Sequence, residues 1–317
     1  MFRSPIRVLA IGECMVELTH RDSETLHLGC AGDTFNTALY LARVTDPDSV
    51  QVDYLTLVGD DRYSDRILAA MRQEGIGTGL VRRVPGARPG LYLVHTDPDG
   101  ERTFTYYRSE SPARRLFGPG HPEAASSLAD GYDVVYLSAI TLQILTPAAR
   151  ERVWDLLRQV RRRGGTVAFD SNYRPAGWPE PGSARAAVQT AWQLASIALP
   201  TFDDECALFA DDTPADSAVR LAALGIPDVV VKDGARGCVV WDGSSPRRVA
   251  AQKVQAAVDT TAAGDAFNAA YLAARLTGKE PVEAAGSANA LAAEVVRHRG
   301  AAVPASVLPR RAETSLR

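Results

Sequence analysis

The chain has 317 residues, 46% of them hydrophobic and 23% charged, with a formal net charge of −3. These fractions are those of an ordinary soluble globular protein, and the slight acidity argues against nucleic acid or an acidic membrane surface as the main partner. No apolar stretch approaches the roughly 18 residues of a membrane span, the first apolar run is too short for a signal peptide, and Cys14, Cys30, Cys206 and Cys238 form no CxxC pair, so a reduced, cytoplasmic setting is expected.

Along the chain, short apolar runs at 6–12, 52–59, 132–140, 165–172, 195–200 and 228–234 read as buried strands. Helical patterns at 34–44, 63–74, 147–163, 183–194, 202–209 and 214–224 lie between many of them. Such alternation indicates an α/β fold, a mainly parallel sheet covered by helices on both faces, with ligands at the carboxyl ends of the strands. Arg161, Arg162 and Arg163 suit the C-terminus of a helix, where cations complement the dipole.

Two segments interrupt this alternation. Residues 13–30 follow the first strand without a helical pattern, and residues 80–108 contain two alternating strands around Asp97-Pro98-Asp99-Gly100. Proline and glycine there fit a β-turn; a calcium loop would need a longer ladder of oxygen ligands. These strands are expected to form a small lid over the ligand site, with open edges through which a homo-oligomer would pair.

The stretch "DTTAAGDAFNAAYLAARL" (259–276) places a turn of small residues before a helix. Unpartnered N–H groups and the positive end of the helix dipole make such a start a site for phosphate or developing negative charge. Ala262, Ala263 and Gly264 leave room for a close approach. A carboxylate in an anion site is out of place unless Asp265 serves as a general base; its spacing also allows a simple cap. No P-loop and no protein-kinase motif set is present.

Residues 259–276, together with "GCAGDTFNTALYLARV" (29–44) and "LVGDDRYSDRILAAMRQEGI" (57–76), resemble the ribokinase-like, pfkB-type carbohydrate kinases over nearly the full length. The resemblance implies one kinase domain over 1–317, a three-layer α/β/α fold with a β lid, ATP as phosphoryl donor, Mg²⁺, and Asp265 as catalytic base beside Ala262, Ala263 and Gly264. "IGECMVEL", "RPGLYLVHTDPDGERTFTYYR" and "FDSNYRPAGW" are similar to the branch of that family acting on the 6-hydroxyl of 2-keto-3-deoxygluconate. A neutral-ketohexose kinase of the fructokinase kind and a non-catalytic sensor are the alternatives.

For an acidic sugar, the forks of Arg108 and Arg174 suit a carboxylate. By position in the family, Gly32, Asp33, Thr34 and Asn36 hold the sugar, Gly32 by letting backbone approach it, although Asp33 could instead be an N-cap. Tyr92 and Tyr106 would close over the ligand from the lid. The nucleotide falls to Asn172, Lys232 (one of three lysines), Gly234, Asn289 and the 262–264 turn. Where many relatives have N-x-x-E, this chain has "LPTFDDECALF" (199–209); either Asp204 or Glu205 could organise Mg²⁺ through water, with Glu205 preferred. Alanine at 262, where many relatives have glycine, is expected to matter little.

Overall fold

The computed structural model describes residues 5–96, 102–120 and 125–308. The Asp97–Gly100 turn lies outside them. In chain order the elements are β1 (Ile6–Ile11), β2 (Met15–His20), β3 (Leu26–Ala31), α1 (Asp33–Val44), β4 (Val50–Val58), α2 (Arg62–Gln73), β5 (Val81–Arg83), β6 (Leu91–Thr96) and β7 (Arg102–Tyr107). There follow α3 (Ala125–Gly131), β8 (Val134–Ser138), α4 (Ala139–Ile144), α5 (Pro147–Arg162), β9 (Thr166–Asp170), α6 (Pro181–Leu194), β10 (Ile197–Ala198), α7 (Phe202–Phe209) and α8 (Pro214–Ala223). The last are β11 (Asp228–Lys232), β12 (Cys238–Trp241), β13 (Pro246–Val249), α9 (Ala263–Leu276) and α10 (Pro281–Val295).

Nine strands form one sheet in the order β13-β12-β11-β10-β9-β8-β1-β4-β5. It is parallel from β5 to β11, whereas β12 and β13 join antiparallel. Strand alternation divides the core into two layers. Leu9, Ile11, Val135, Leu137, Val167 and Phe169 face α4, α5 and α6, where Trp192 meets Phe169 edge-on at 4.7 Å between ring centroids. Val8, Ala10, Val134, Tyr136 and Ala168 face α1, α9 and α10. Both faces are covered, so the strands read as continuous apolar runs rather than alternating ones. Thr146 and Thr213 cap α5 and α8 with their hydroxyls, each followed by proline at the first helical position. The arginine run closes α5, with Arg163 at its C-cap.

Several boundaries differ from the sequence reading. The run 132–140 stops being a strand at Ser138, whose hydroxyl caps α4. The run 195–200 contributes only the two residues of β10. The segment 80–108 is split: Val81–Arg83 adds to the edge of the main sheet beside β4, and only β6 and β7 join β2 and β3 in a separate four-stranded sheet, order β3-β2-β6-β7. The inner face of this lid sheet carries Met15, Ala31, Tyr92 and Val94, packed on Ala301 and Ala262 of the main body. The β12–β13 hairpin turns at Asp242-Gly243, where Asp242 Oδ1 accepts from the N–H groups of Ser244 and Ser245, a turn signal that the reading of strands did not use.

Candidate active site

Parallel strands all deliver their carboxyl ends to one edge of the sheet, and there the loops after β1, β8, β9, β10 and β11 meet the lid and the start of α9. A cavity of about 520 Å³ opens between them. A larger one of about 680 Å³ lies elsewhere, beside Arg43, Glu74 and Leu308, away from these strand ends and from α9. The chemistry is gathered in the smaller one.

At the floor, Ala262 adopts φ 59°, ψ 10° and turns the chain into α9. Asp265 is the third residue of the helix and its side chain makes no capping bond; Oδ2 instead accepts a 2.8 Å hydrogen bond from Asn36 Nδ2. The capping reading is thereby set aside. Ala263 donates its N–H to Thr260 O at 3.3 Å; Ala262, Gly264 and Asp265 line the cavity, and their N–H groups precede the first intrahelical bond, from Ala266 N–H to Ala262 O at 2.8 Å. Burial, then the Asp33 and Asp170 carboxylates, push the Asp265 carboxyl up to about 8 against the opposing pull of Asn36 and Lys232. The other aspartate of the stretch, Asp259, is a brace: its two oxygens accept from the N–H groups of Thr261 and Gly300, each at 2.7 Å.

On one side of Asp265 stands Asp33, the first residue of α1, whose Oδ2 accepts from Ser138 Oγ and, at 3.0 Å, from Asn172 Nδ2. Burial raises its carboxyl as well. Asn172 thus lines the same cavity, beside Asp33. Gly32 also lines the cavity, but what demands glycine is packing: a Cβ there would come within 2.1 Å of the Glu13 carbonyl oxygen. Thr34 points away altogether, fully buried with its hydroxyl 2.7 Å from Tyr54 OH. It belongs to the core.

On the other side Lys232, at the end of β11, is buried and not solvated. Its Nζ donates to Asp170 Oδ2 and Asn268 Oδ1, both at 2.9 Å, and Asn268 Nδ2 donates to the same Asp170 oxygen at 2.6 Å. Lys232 reaches the mouth of α9, since a Cβ added to Gly264 would lie 3.9 Å from Nζ. Three residues expected to meet nucleotide, Ala263, Gly234 and Asn289, are not among those lining this cavity. Gly234 follows Lys232 in a 3₁₀ turn, and the Asn289 amide is spent on the carbonyls of Val249 and Ala250, both at 3.2 Å.

The rim carries the arginines. Arg108, after β7, is paired with Glu13, while Arg174 donates to Tyr173 O at 2.9 Å and is otherwise exposed. Tyr106 lies over the opening, 49% exposed. The Tyr92 ring lines the cavity, but its hydroxyl is held by Glu17.

The preference for Glu205 is overturned by its surroundings. Glu205 is fully buried with Oε2 2.6 Å from Arg220 Nη2, and burial pushes its carboxyl up to about 7. Asp204 is the acid nearer the site's charges: its Oδ2 accepts from Ser171 Oγ at 3.4 Å, it feels Asp170, Arg174 and Lys232, and burial brings it to about 6. Among the described residues no cluster of three or more metal-ligating side chains occurs. Mg²⁺ keeps several waters and asks for only one or two carboxylates, a demand that Asp204, beside Asp170 and Lys232, can meet.

Glu13, Asp170 and Asn268 were not singled out from sequence. Each had a faint signal: Glu13 and Asp170 are acids at or just beyond strand ends, and Asn268 lies three residues after Asp265 on the same helical face.

The chain matches the description "pfkB family carbohydrate kinase" over residues 6–307. It is 39% identical over 306 residues to a 2-dehydro-3-deoxygluconokinase of Escherichia coli, covering 96% of this chain and 99% of that protein. A 2-dehydro-3-deoxygluconokinase of Dickeya dadantii is also 39% identical over 306 residues, covering 95% and 98%. The crystal structure of a PfkB protein from Polaromonas superposes with a TM-score of 0.80 at 27% identity, covering 92% of this chain and 96% of that one.

Proposed function

The chain belongs to the pfkB carbohydrate kinase family, and we propose that it transfers the γ-phosphoryl group of ATP to the 6-hydroxyl of 2-keto-3-deoxygluconate. The observation that carries this reading is one cavity with Asp265 at the amide-rich start of α9 and two arginines at its rim. Full-length identity of 39% to 2-dehydro-3-deoxygluconokinases supports the substrate.

In this reading Arg174 and Arg108 receive the sugar carboxylate, and Asp33, set by Ser138 and Asn172, receives a hydroxyl. Tyr92 and Tyr106 cover the sugar from the lid. Positioning of this kind converts an encounter into an effectively unimolecular step. Asp265 Oδ2 is engaged by Asn36, which leaves Oδ1 to take the proton of the 6-hydroxyl. The N–H groups of Gly264 and Asp265, with the ammonium of Lys232, meet the charge on the transferring oxygens, the main protein contribution to phosphoryl transfer. Asp204 would meet, through water, a Mg²⁺ ion bound with the nucleotide, which would supply charge neutralisation on the phosphates.

Four free cysteines support a reducing, cytoplasmic location, and no helix among the described residues is long and apolar enough to cross a membrane. The open edge strands β3 and β7 of the lid, with Tyr107 62% exposed, support a homo-oligomer formed through that sheet.

The test is ATP consumption with 2-keto-3-deoxygluconate against fructose. Phosphorylation of the acid is expected, and Arg174→Ala should raise its KM by roughly tenfold to a hundredfold, the worth of a charge-assisted bidentate contact. Equal use of fructose, with indifference to Arg174→Ala, would move the protein to the neutral-ketose kinases.

A further inference from the structure

The reading of the site as one for an acidic sugar leaves a charge unaccounted for. Glu13 lines the cavity, is only 3% exposed, and forms an ion pair with Arg108 through Oε2. Its other oxygen, Oε1, and the Arg108 Nε are both buried without a hydrogen-bond partner. The pair is built into the fold. A Cβ on Gly90 would come within 2.6 Å of Glu13 Oε1 and 3.3 Å of Arg108 Cβ, so glycine before β6 leaves the Glu13 carboxylate where it meets Arg108. Arg174 makes no ion pair among the described residues and is exposed toward the same opening.

We propose that Glu13 is a positioning and specificity-determining residue: it holds the Arg108 guanidinium in place and cancels its charge, so that Arg108 orients the sugar carboxylate as a hydrogen-bond donor while the net attraction for that carboxylate comes from Arg174. This deepens the acid-sugar reading and rests on it. A buried guanidinium with no counter-charge would be costly in the empty site. It would also draw in any small anion, inorganic phosphate included. Glu13 prevents both, at the expense of some affinity, because its carboxylate stands close to the one being bound and like charges several ångströms apart repel. The residue thus sets affinity against selectivity.

Two substitutions separate these roles. Glu13→Gln keeps an oxygen to accept from Arg108 and removes the charge; Glu13→Ala removes both. Glu13→Gln is expected to lower KM for the acid sugar by about three- to tenfold, from relief of repulsion at that range. It should also make inorganic phosphate a competitive inhibitor against the sugar, with no such inhibition expected in the wild type. Glu13→Ala should raise KM for the acid, because the guanidinium loses its anchor. Adding Arg108→Gln to Glu13→Gln should abolish the phosphate effect. A raised KM with Glu13→Gln, or unchanged KM together with unchanged phosphate inhibition, would overturn the assignment. Should the wild type leave the acid sugar unphosphorylated, the proposed substrate fails. Calorimetric binding of inorganic phosphate still decides the Glu13 question then: a second phosphate bound by Glu13→Gln and lost with Arg108→Gln upholds it, and none refutes it.

Discussion

Replacing Asp265 by asparagine removes the proton-accepting charge and keeps the shape, since an amide oxygen can still accept from Asn36. Two effects of opposite sign are expected. Turnover should fall by roughly 10²–10⁴, the range general-base catalysis spans, while stability rises. The Asp265 carboxyl, ordinarily near 3.8, is pushed up to about 8 in the folded protein. A carboxyl raised on folding contributes stability that is complete below its unfolded value and is lost as pH rises through its folded value. At pH 7, each pH step above 3.8 is worth about 1.36 kcal/mol, so retaining an ionisable group there costs up to about 4 kcal/mol. Asparagine escapes that cost. Chemical denaturation at a series of pH values should therefore show the variant and wild type nearly equal at pH 4 and diverging, in the variant's favour, toward pH 8. The same carboxyl sets the activity profile: wild-type kcat/KM should rise about tenfold per pH step below about 8 and level off above it. Near-normal turnover in the variant, or a stability difference that does not change between about pH 4 and pH 8, would refute the assignment of both the role and the perturbed carboxyl.

Asp204→Asn should raise the Mg²⁺ concentration for half-maximal activity several-fold, whereas Glu205→Gln, at a residue paired with Arg220, should leave it unmoved; a Mg²⁺ titration of both variants reads this. Thr34→Val should cost about 1–3 kcal/mol by stranding the Tyr54 hydroxyl, with sugar KM unchanged, as steady-state kinetics and a melt would show. Ala262→Gly should stabilise by about 0.5–1 kcal/mol, because an L-residue pays about 1–2 kcal/mol in the left-handed region and glycine returns part of that as chain entropy. Calorimetric melting decides the last of these.

What was legible in the sequence follows from what has a local cause. The β–α alternation, the capped helix starts at Thr146 and Thr213, and the anion-binding start of α9 are written in runs, spacings and turn residues, and they predict the architecture and the place of Asp265. The errors concern side chains whose partners are distant along the chain. Thr34 and Asn36 are neighbours on one helix, yet one meets Tyr54 in the core and the other meets Asp265, 229 residues away. The partners of Lys232 were hidden because Asp170 and Asn268, which hold it, are contributed by other elements. Position in the family could not choose between the adjacent acids Asp204 and Glu205, because what separates them is the direction each faces: Glu205 toward Arg220, Asp204 toward Asp170 and Lys232. Nor could spacing reveal that alanine at 262 occupies a left-handed turn.

The two aspartates of the 259–276 stretch show why position alone underdetermines chemistry. Asp259 has both oxygens engaged by backbone N–H groups, an arrangement that braces the loop and presents neither oxygen to a hydroxyl in the cavity. Asp265 has one oxygen held and one open to the cavity, and it is surrounded by carboxylates that make its charge unfavourable. A group held in that state is a stronger base than a free carboxylate and can act only where a hydroxyl is presented to its open oxygen. Lys232 stands at the mouth of α9 and Arg174 lines the same cavity from the loop after β9, both within electrostatic reach of Asp204. The strand ends thus bring cations from separate loops around one base whose own charge the neighbouring carboxylates oppose.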